Sequence, residues 1–167
     1  MDNASILKIM SERRSRSRPQ KAAEERLVKY VVFTIGEKPY ALEADKVREI
    51  SLDNEFHYVP FLPPYVRGYA NRHGQPYTVL DLCMLFEKRV LDSKSLLILN
   101  AADDQIALLV SDVDEIVRLP PGAIHPLASE EESARYFANA IAAKGREIFV
   151  LDIGTILHRL ERDVERI

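Results

Sequence analysis

The chain carries one short pattern twice, in the same order. Ala41-Leu42-Glu43-Ala44-Asp45-Lys46-Val47-Arg48-Glu49-Ile50 returns 66 residues later as Ala107-Leu108-Leu109-Val110-Ser111-Asp112-Val113-Asp114-Glu115-Ile116. Val79-Leu80-Asp81-Leu82, with Leu85 and Phe86, returns 71 residues later as Val150-Leu151-Asp152-Ile153, with Ile156 and Leu157. Two diverged copies of one small unit leave a seam between them, and such seams are where pockets and docking surfaces form. Two copies are too few for a solenoid, whose continuous core takes roughly three or more.

With 167 residues the chain is one domain, or two small subdomains sharing a core. Nearly half of it is apolar, which excludes wholesale disorder, and a net charge of −3 excludes a general polyanion binder. The single cysteine, Cys83, lies in the apolar run Leu82-Cys83-Met84-Leu85-Phe86 and reads as a small buried hydrophobe. No apolar stretch reaches the roughly 18 residues of a membrane span, and the N-terminus lacks a secretory pattern. A cytoplasmic protein is expected.

Residues 1–26 form a separate N-terminal basic extension, expected to be mobile or helical, with Arg13, Arg14, Arg16, Arg18 and Lys21 as its basic run. From Leu27 the pattern is sheet-like. Tyr30 to Ile35 reads as a strand, Gly36 to Pro39 as a turn, and Tyr40 to Leu42 as the return strand. Pro60, Pro63 and Pro64 mark a loop. Val66 to Ala70 and Pro76 to Leu80 flank a hairpin whose Gly74 suits positive φ. Its counterpart turns about Lys144-Gly145. Asp81 and Asp152 each stand where a carboxylate caps a helical turn by accepting a free backbone N–H. The last helix presents Ile153, Leu157, Leu160, Val164 and Ile167 as one apolar stripe. Short strands punctuated by Gly and Pro predict a mainly β fold of two small five-stranded barrels around a shared core, with a C-terminal α-helix.

Catalytic chemistry finds little support. One aspartate per half invites an aspartic-protease reading, but Leu82-Cys83 and Ile153-Gly154 follow where a small hydroxyl residue and glycine belong. His57, His73, His125 and His158 are scattered and make no metal-ligand spacing. No phosphate-cradling loop or nucleophile elbow is present. The basic run lacks interleaved aromatics, so nucleic acid is not an expected partner. By elimination the chain is a binding module: no catalytic residue, cofactor or metal is expected.

The same residues resemble the CheW-like adaptor family of bacterial chemotaxis. VVFTIGEKPYALEADKVREI (31–50) is similar to that family's opening hairpin and its Val-x-Glu-Ile element. VPFLPPYVRGYANRHGQPYTVLDL (59–82) is similar to its Pro-rich approach, Tyr-Val-x-Gly, Asn-x-Arg-Gly turn and Val-x-Asp-Leu strand end. The second half follows through Val110 to Glu115 and Val150 to Ile153. The resemblance covers roughly residues 28–160. It implies that residues 27–167 form a CheW-like domain of two SH3-like barrel subdomains, exchanging near residues 88–95. It implies a scaffold without catalysis, coupling the cytoplasmic tip of methyl-accepting chemoreceptors to the regulatory domain of a CheA-type histidine kinase. The receptor tip lies in the groove between the barrels and the kinase docks end-on. Matched partner-binding positions are Val47, Glu49, Gly68, Asn71, Arg72 and His73. One departure stands out: His73 occupies the place of the family's arginine, with Arg72 one residue earlier. On a regular strand that shift moves the side chain to the opposite face. Two alternatives follow: a diverged paralogue that binds the kinase but not ordinary receptors, and, remotely, a small β-barrel hydrolase using Asp81 or Asp152.

Overall fold

The computed structural model describes residues 3–8, 26–101 and 103–167. Residues 3–8 are helical with Ile6 and Leu7 exposed, whereas the basic run from Arg13 to Lys21 lies outside the described residues.

Eleven strands follow among the described residues: β1 (Val28–Ile35), β2 (Lys38–Glu43), β3 (Val47–Ser51), β4 (Val66–Arg72), β5 (Gln75–Leu80), β6 (Ser95–Leu99), β7 (Ile106–Val110), β8 (Asp112–Leu119), β9 (Ile124–His125), β10 (Phe137–Ala143) and β11 (Arg146–Leu151). Helix α1 (Leu82–Glu87) follows β5, and α2 (Ile153–Val164) follows β11. One sheet runs β3-β6-β7-β5-β4 and the other β8-β1-β2-β11-β10-β9. The offsets of 66 and 71 residues map β1, β2, β3, β4 and β5 onto β6, β7, β8, β10 and β11. Under that mapping the first order becomes the second, apart from the two-residue β9. The fold is mainly β: two SH3-like barrels around a shared core, closed by a C-terminal helix.

Local irregularities repeat with the strands. The β4–β5 pairing slips between Val66 and Gly68, and β10–β11 slips between Phe137 and Asn139. The turn residues His73 and Lys144 sit at φ 52° and 50°, each followed by a glycine at positive φ. Asp81 caps α1 by accepting from Met84 N–H, and Asp152 caps α2 by accepting from Thr155 N–H, both at 3.1 Å. The offset grows from 66 to 71 because the β8-to-β10 connection is longer than β3-to-β4; it holds β9 and two 3-10 turns.

Each sheet mixes strands of both copies. β1 and β2 join β8, β10 and β11, while β6 and β7 join β3, β4 and β5. Two of the four joints are parallel: Tyr40 and Ala41 of β2 pair with Phe149 and Val150 of β11, and Thr78 to Leu80 of β5 pair with Ile106 to Leu108 of β7; the other two, β1 with β8 and β3 with β6, are antiparallel. The chain changes sheet at residues 44–46 and again at Ser111. Residues 88–95, the expected point of exchange, connect α1 to β6, so both ends of that segment serve the same barrel.

This interleaving explains why β1 and β7 are apolar almost throughout. Tyr30 and Val32 face the core inside their own barrel with Ile141 and Val150, while Val31, Phe33 and Ile35 face the core shared with the other barrel. A strand buried on both faces reads as a continuous apolar run rather than an alternation. β8 lies at a sheet edge and alternates exposed and half-buried residues along its length. Tyr40 stacks on Phe137 at 5.7 Å between ring centroids, and Phe86 packs on both, so aromatic rings from the two copies meet in the shared core. Cys83 is buried, and burial raises its thiol pKa.

The α2 stripe needs one correction. Ile156, outside the expected set, is the buried residue of α2, whereas Val164 and Ile167 are exposed. The last helical turn meets the body through a polar contact instead, Tyr65 donating to Asp163 Oδ2 at 2.8 Å, and leaves Val164 and Ile167 in solvent. Ile156→Ala is accordingly expected to cost about 2–5 kcal/mol and Val164→Ala under about 1 kcal/mol, read from urea unfolding midpoints.

Candidate partner-binding site

Five of the six expected site residues lie on the two edge strands of one sheet, and the sixth lies on the adjoining turn. Val47 and Glu49 come from β3; Gly68, Asn71 and Arg72 come from β4; His73 opens the β4–β5 turn. β3 and β4 are the outermost strands of their sheet, and side chains reach between them. Arg72 donates to Glu49 Oε1, and His73 Nε2 lies 3.4 Å from Glu49 Oε2. In the other barrel the corresponding pair is Lys144 and Glu115, 2.7 Å apart. Each barrel therefore ties the end of its hairpin to a glutamate on an edge strand, through Arg72 in one and Lys144 in the other.

The expectation that Arg72 points away from the family arginine's place is not met. Arg72 and His73 both converge on Glu49. Strict alternation fails because His73 has φ 52°, a left-handed turn conformation, so the chain is no longer a regular strand there. Hydrogen bonding to Arg72, foremost, holds the Glu49 carboxyl below its ordinary pKa, and the His73 contact adds to this while partial desolvation opposes it. Lowered in the folded state, this carboxyl stays ionised into mild acid. Any stability it lends is present above the ordinary carboxylate range and is lost as pH falls through the folded value. Asn71 and His73 are exposed, whereas Arg72, Glu49 and Val47 are half-buried.

Gly68 has a steric reason to be glycine. It is buried with φ at 120°, and a Cβ there would stand 2.0 Å from the carbonyl oxygen of His57. His57 bridges to Tyr69 through two backbone hydrogen bonds, and its ring stacks on Tyr69 at 4.9 Å. Gly68 thus fixes how the Pro-rich connection lies against β4. A contact residue identified from pattern alone is here also a packing residue.

Sequence reasoning gave Asp81 a capping role, and the structure adds a clasp. The side chain is fully buried. One oxygen accepts the Met84 N–H, and the other accepts the Leu91 N–H at 2.9 Å and Arg67 Nη1 at 3.2 Å. Arg67 also donates to the Leu91 carbonyl. A carboxylate without solvent access and with both oxygens engaged is no general acid, base or nucleophile for an outside substrate. That removes the hydrolase reading for Asp81. Asp152, half-buried, caps α2 through one oxygen. Among the described residues no group of three or more His, Cys, Asp or Glu could hold a metal ion.

The family described as the CheW-like domain matches residues 29–161. The chain is 22% identical over 133 residues to the chemotaxis protein CheW of Klebsiella aerogenes, covering 77% of this chain and 80% of that one. It is 25% identical over 146 residues to the chemotaxis protein CheW of Treponema pallidum, covering 79% and 83%. The fold is similar to a crystal structure of the scaffolding protein TtCheW from Thermoanaerobacter tengcongensis, with a TM-score of 0.70, 22% identity, and coverage of 75% of this chain and 89% of that one.

Two outcomes are expected. Arg72→Ala should raise the Glu49 titration midpoint toward an ordinary carboxylate value, and His73→Ala should raise it less, as followed by NMR of the side-chain carboxyl. Asp81→Ala, which strands Arg67, should cost about 3–5 kcal/mol, against about 1 kcal/mol for Asp152→Ala, compared by denaturant unfolding.

Proposed function

The chain belongs to the CheW-like family, whose domain spans residues 29–161, and we propose that it couples the cytoplasmic tip of a methyl-accepting chemoreceptor to the regulatory domain of a CheA-type histidine kinase. At the coarser level it is a chemotaxis adaptor, a non-catalytic scaffold. On this reading it works in the cytoplasm. Among the described residues no helix is long and apolar enough to cross a membrane.

The observation that carries the finer reading is the convergence of Arg72 and His73 on Glu49 at the exposed rim of one barrel. A half-buried carboxylate held by two cationic or potentially cationic groups offers a fixed charge pattern to a docking helix. Beside it, Val47 and the exposed Ile50 supply apolar surface on the same edge strand. Fixed charges at such a rim set register and partner choice, and the apolar residues supply most of the affinity. Signalling through such a scaffold is geometric: the barrels hold two partners at a fixed distance, and no covalent bond changes.

The chain should co-sediment with receptor signalling fragments and the kinase regulatory domain, and Glu49→Arg, a charge reversal, should weaken receptor capture by about tenfold or more. His73→Arg, which restores the family's residue, should strengthen receptor capture. Failure to co-sediment with either partner would overturn the reading.

A further inference from the structure

The two copies treat their capping aspartates differently. In the first copy the extra residue of the β4 irregularity, between Val66 and Gly68, is Arg67. Such an irregularity re-aims the side chain it carries. Arg67 reaches the second oxygen of Asp81, and Leu91 closes over the pair. Leu91 arrives because α1 stops at Lys88, whose φ of 58° turns the chain back. In the second copy the extra residue of the matching irregularity, between Phe137 and Asn139, is Ala138. The following helix does not turn back but runs on to Val164. Arginine and leucine are therefore both missing beside Asp152.

What remains is a cleft of about 480 Å³. Ala138, Leu99, Ile153 and Leu157 are among its apolar lining, and Asp152 stands in its wall. Asp152 Oδ1 accepts the Thr155 N–H, and among the described residues Oδ2 has no partner. Glu43 adds a second carboxylate at the cleft, and Lys46, exposed at the rim, forms no ion pair with either acid among the described residues.

We propose that the cleft beside Asp152 is a docking site for an arginine side chain with an adjoining leucine-like residue, presented by a partner polypeptide. The molecule itself shows what fits. Arg67 through its guanidinium, and Leu91 through its backbone N–H and carbonyl with its side chain buried, form a complete intramolecular version of the contact on an aspartate in the same place of the same fold. A guanidinium matches a carboxylate oxygen and a neighbouring carbonyl together, which an ammonium does less well. Glu43 and Asp152 favour a cation in the cleft, and the apolar walls favour a side chain with a hydrocarbon stem. The inference rests on the internal repeat and is independent of which receptor or kinase the chain serves.

The direct test uses the full chain and the blocked dipeptide N-acetyl-Arg-Leu-amide, followed by NMR at the Gly154 and Thr155 amides. Saturable shifts are expected with this peptide and not with its citrulline counterpart, which keeps the shape and loses the charge. Asp152→Asn retains a good capping side chain, so the fold should persist while the peptide binds at least about tenfold more weakly. Ala138→Arg should fill the cleft from within, raising Tm and excluding the peptide. Combining it with Asp152→Asn should abolish the rise in Tm. Equal binding of the citrulline peptide, undiminished binding to both single variants, or a Tm rise that ignores Asp152 would each overturn the proposal.

Discussion

Parallel pairing of β2 with β11, and of β5 with β7, is the constraint on which the rest of the structure depends. Each joint ties a strand of one copy to a strand of the other, and the barrels complete themselves through these joints together with the antiparallel pairs β1–β8 and β3–β6. Neither half of the chain contains all the strands of a barrel. Parallel neighbours cannot be linked by a tight hairpin, so the β5–β7 joint is closed through α1 and β6, and the β2–β11 joint spans most of the domain. The consequence is one continuous core. Phe33, Tyr40 and Leu42 from the first copy pack in the same cluster as Leu108, Tyr136 and Leu151 from the second. A scaffold requires its two ends to keep a fixed relation. Interlocked barrels achieve that without a hinge.

Symmetry of backbone does not mean symmetry of chemistry. Glu49 and Glu115 occupy matching edge strands, yet one meets Arg72 and His73 and the other meets Lys144. Asp81 is sealed by Arg67 and Leu91, whereas Asp152 faces a cleft. Gly68 is forced by the His57 carbonyl, whereas Asn139 takes the matching place in the second copy. Duplication supplied two similar frames, and the side chains that differ between them give each frame its own internal contacts. Burial decides which differences matter for stability: the sealed Asp81 is a structural group, and the half-buried Asp152 remains available to a partner.

Much of this was legible in the sequence because it was written twice. The echo of Ala41–Ile50 in Ala107–Ile116 gave the duplication, the strand punctuation gave barrels, and Asp81 and Asp152 gave the caps. An exchange between the barrels was expected, but its place and its strands were not legible, since an apolar run identifies a buried strand such as Ile106–Val110 but not its partner in the sheet. Ile156 was missed because a stripe traced in steps of four and three from Ile153 passes over it, although it shares the core-facing side with Ile153, Leu157 and Leu160. The Arg67–Asp81 clasp joins residues on separate elements through a strand irregularity, which leaves no mark in a pattern of apolar positions. The meeting of Arg72 and His73 on Glu49 depends on one turn residue at positive φ, where strand alternation stops being a guide.

Native-state hydrogen exchange across the two parallel joints tests the interlocked scaffold most directly. The amides of Leu80 and Leu108 at one joint, and of Ala41 and Val150 at the other, should share one opening free energy and one dependence on urea. If either joint opened at distinctly lower free energy while the other stayed protected, the barrels would be separable units, and a single rigid scaffold would be contradicted.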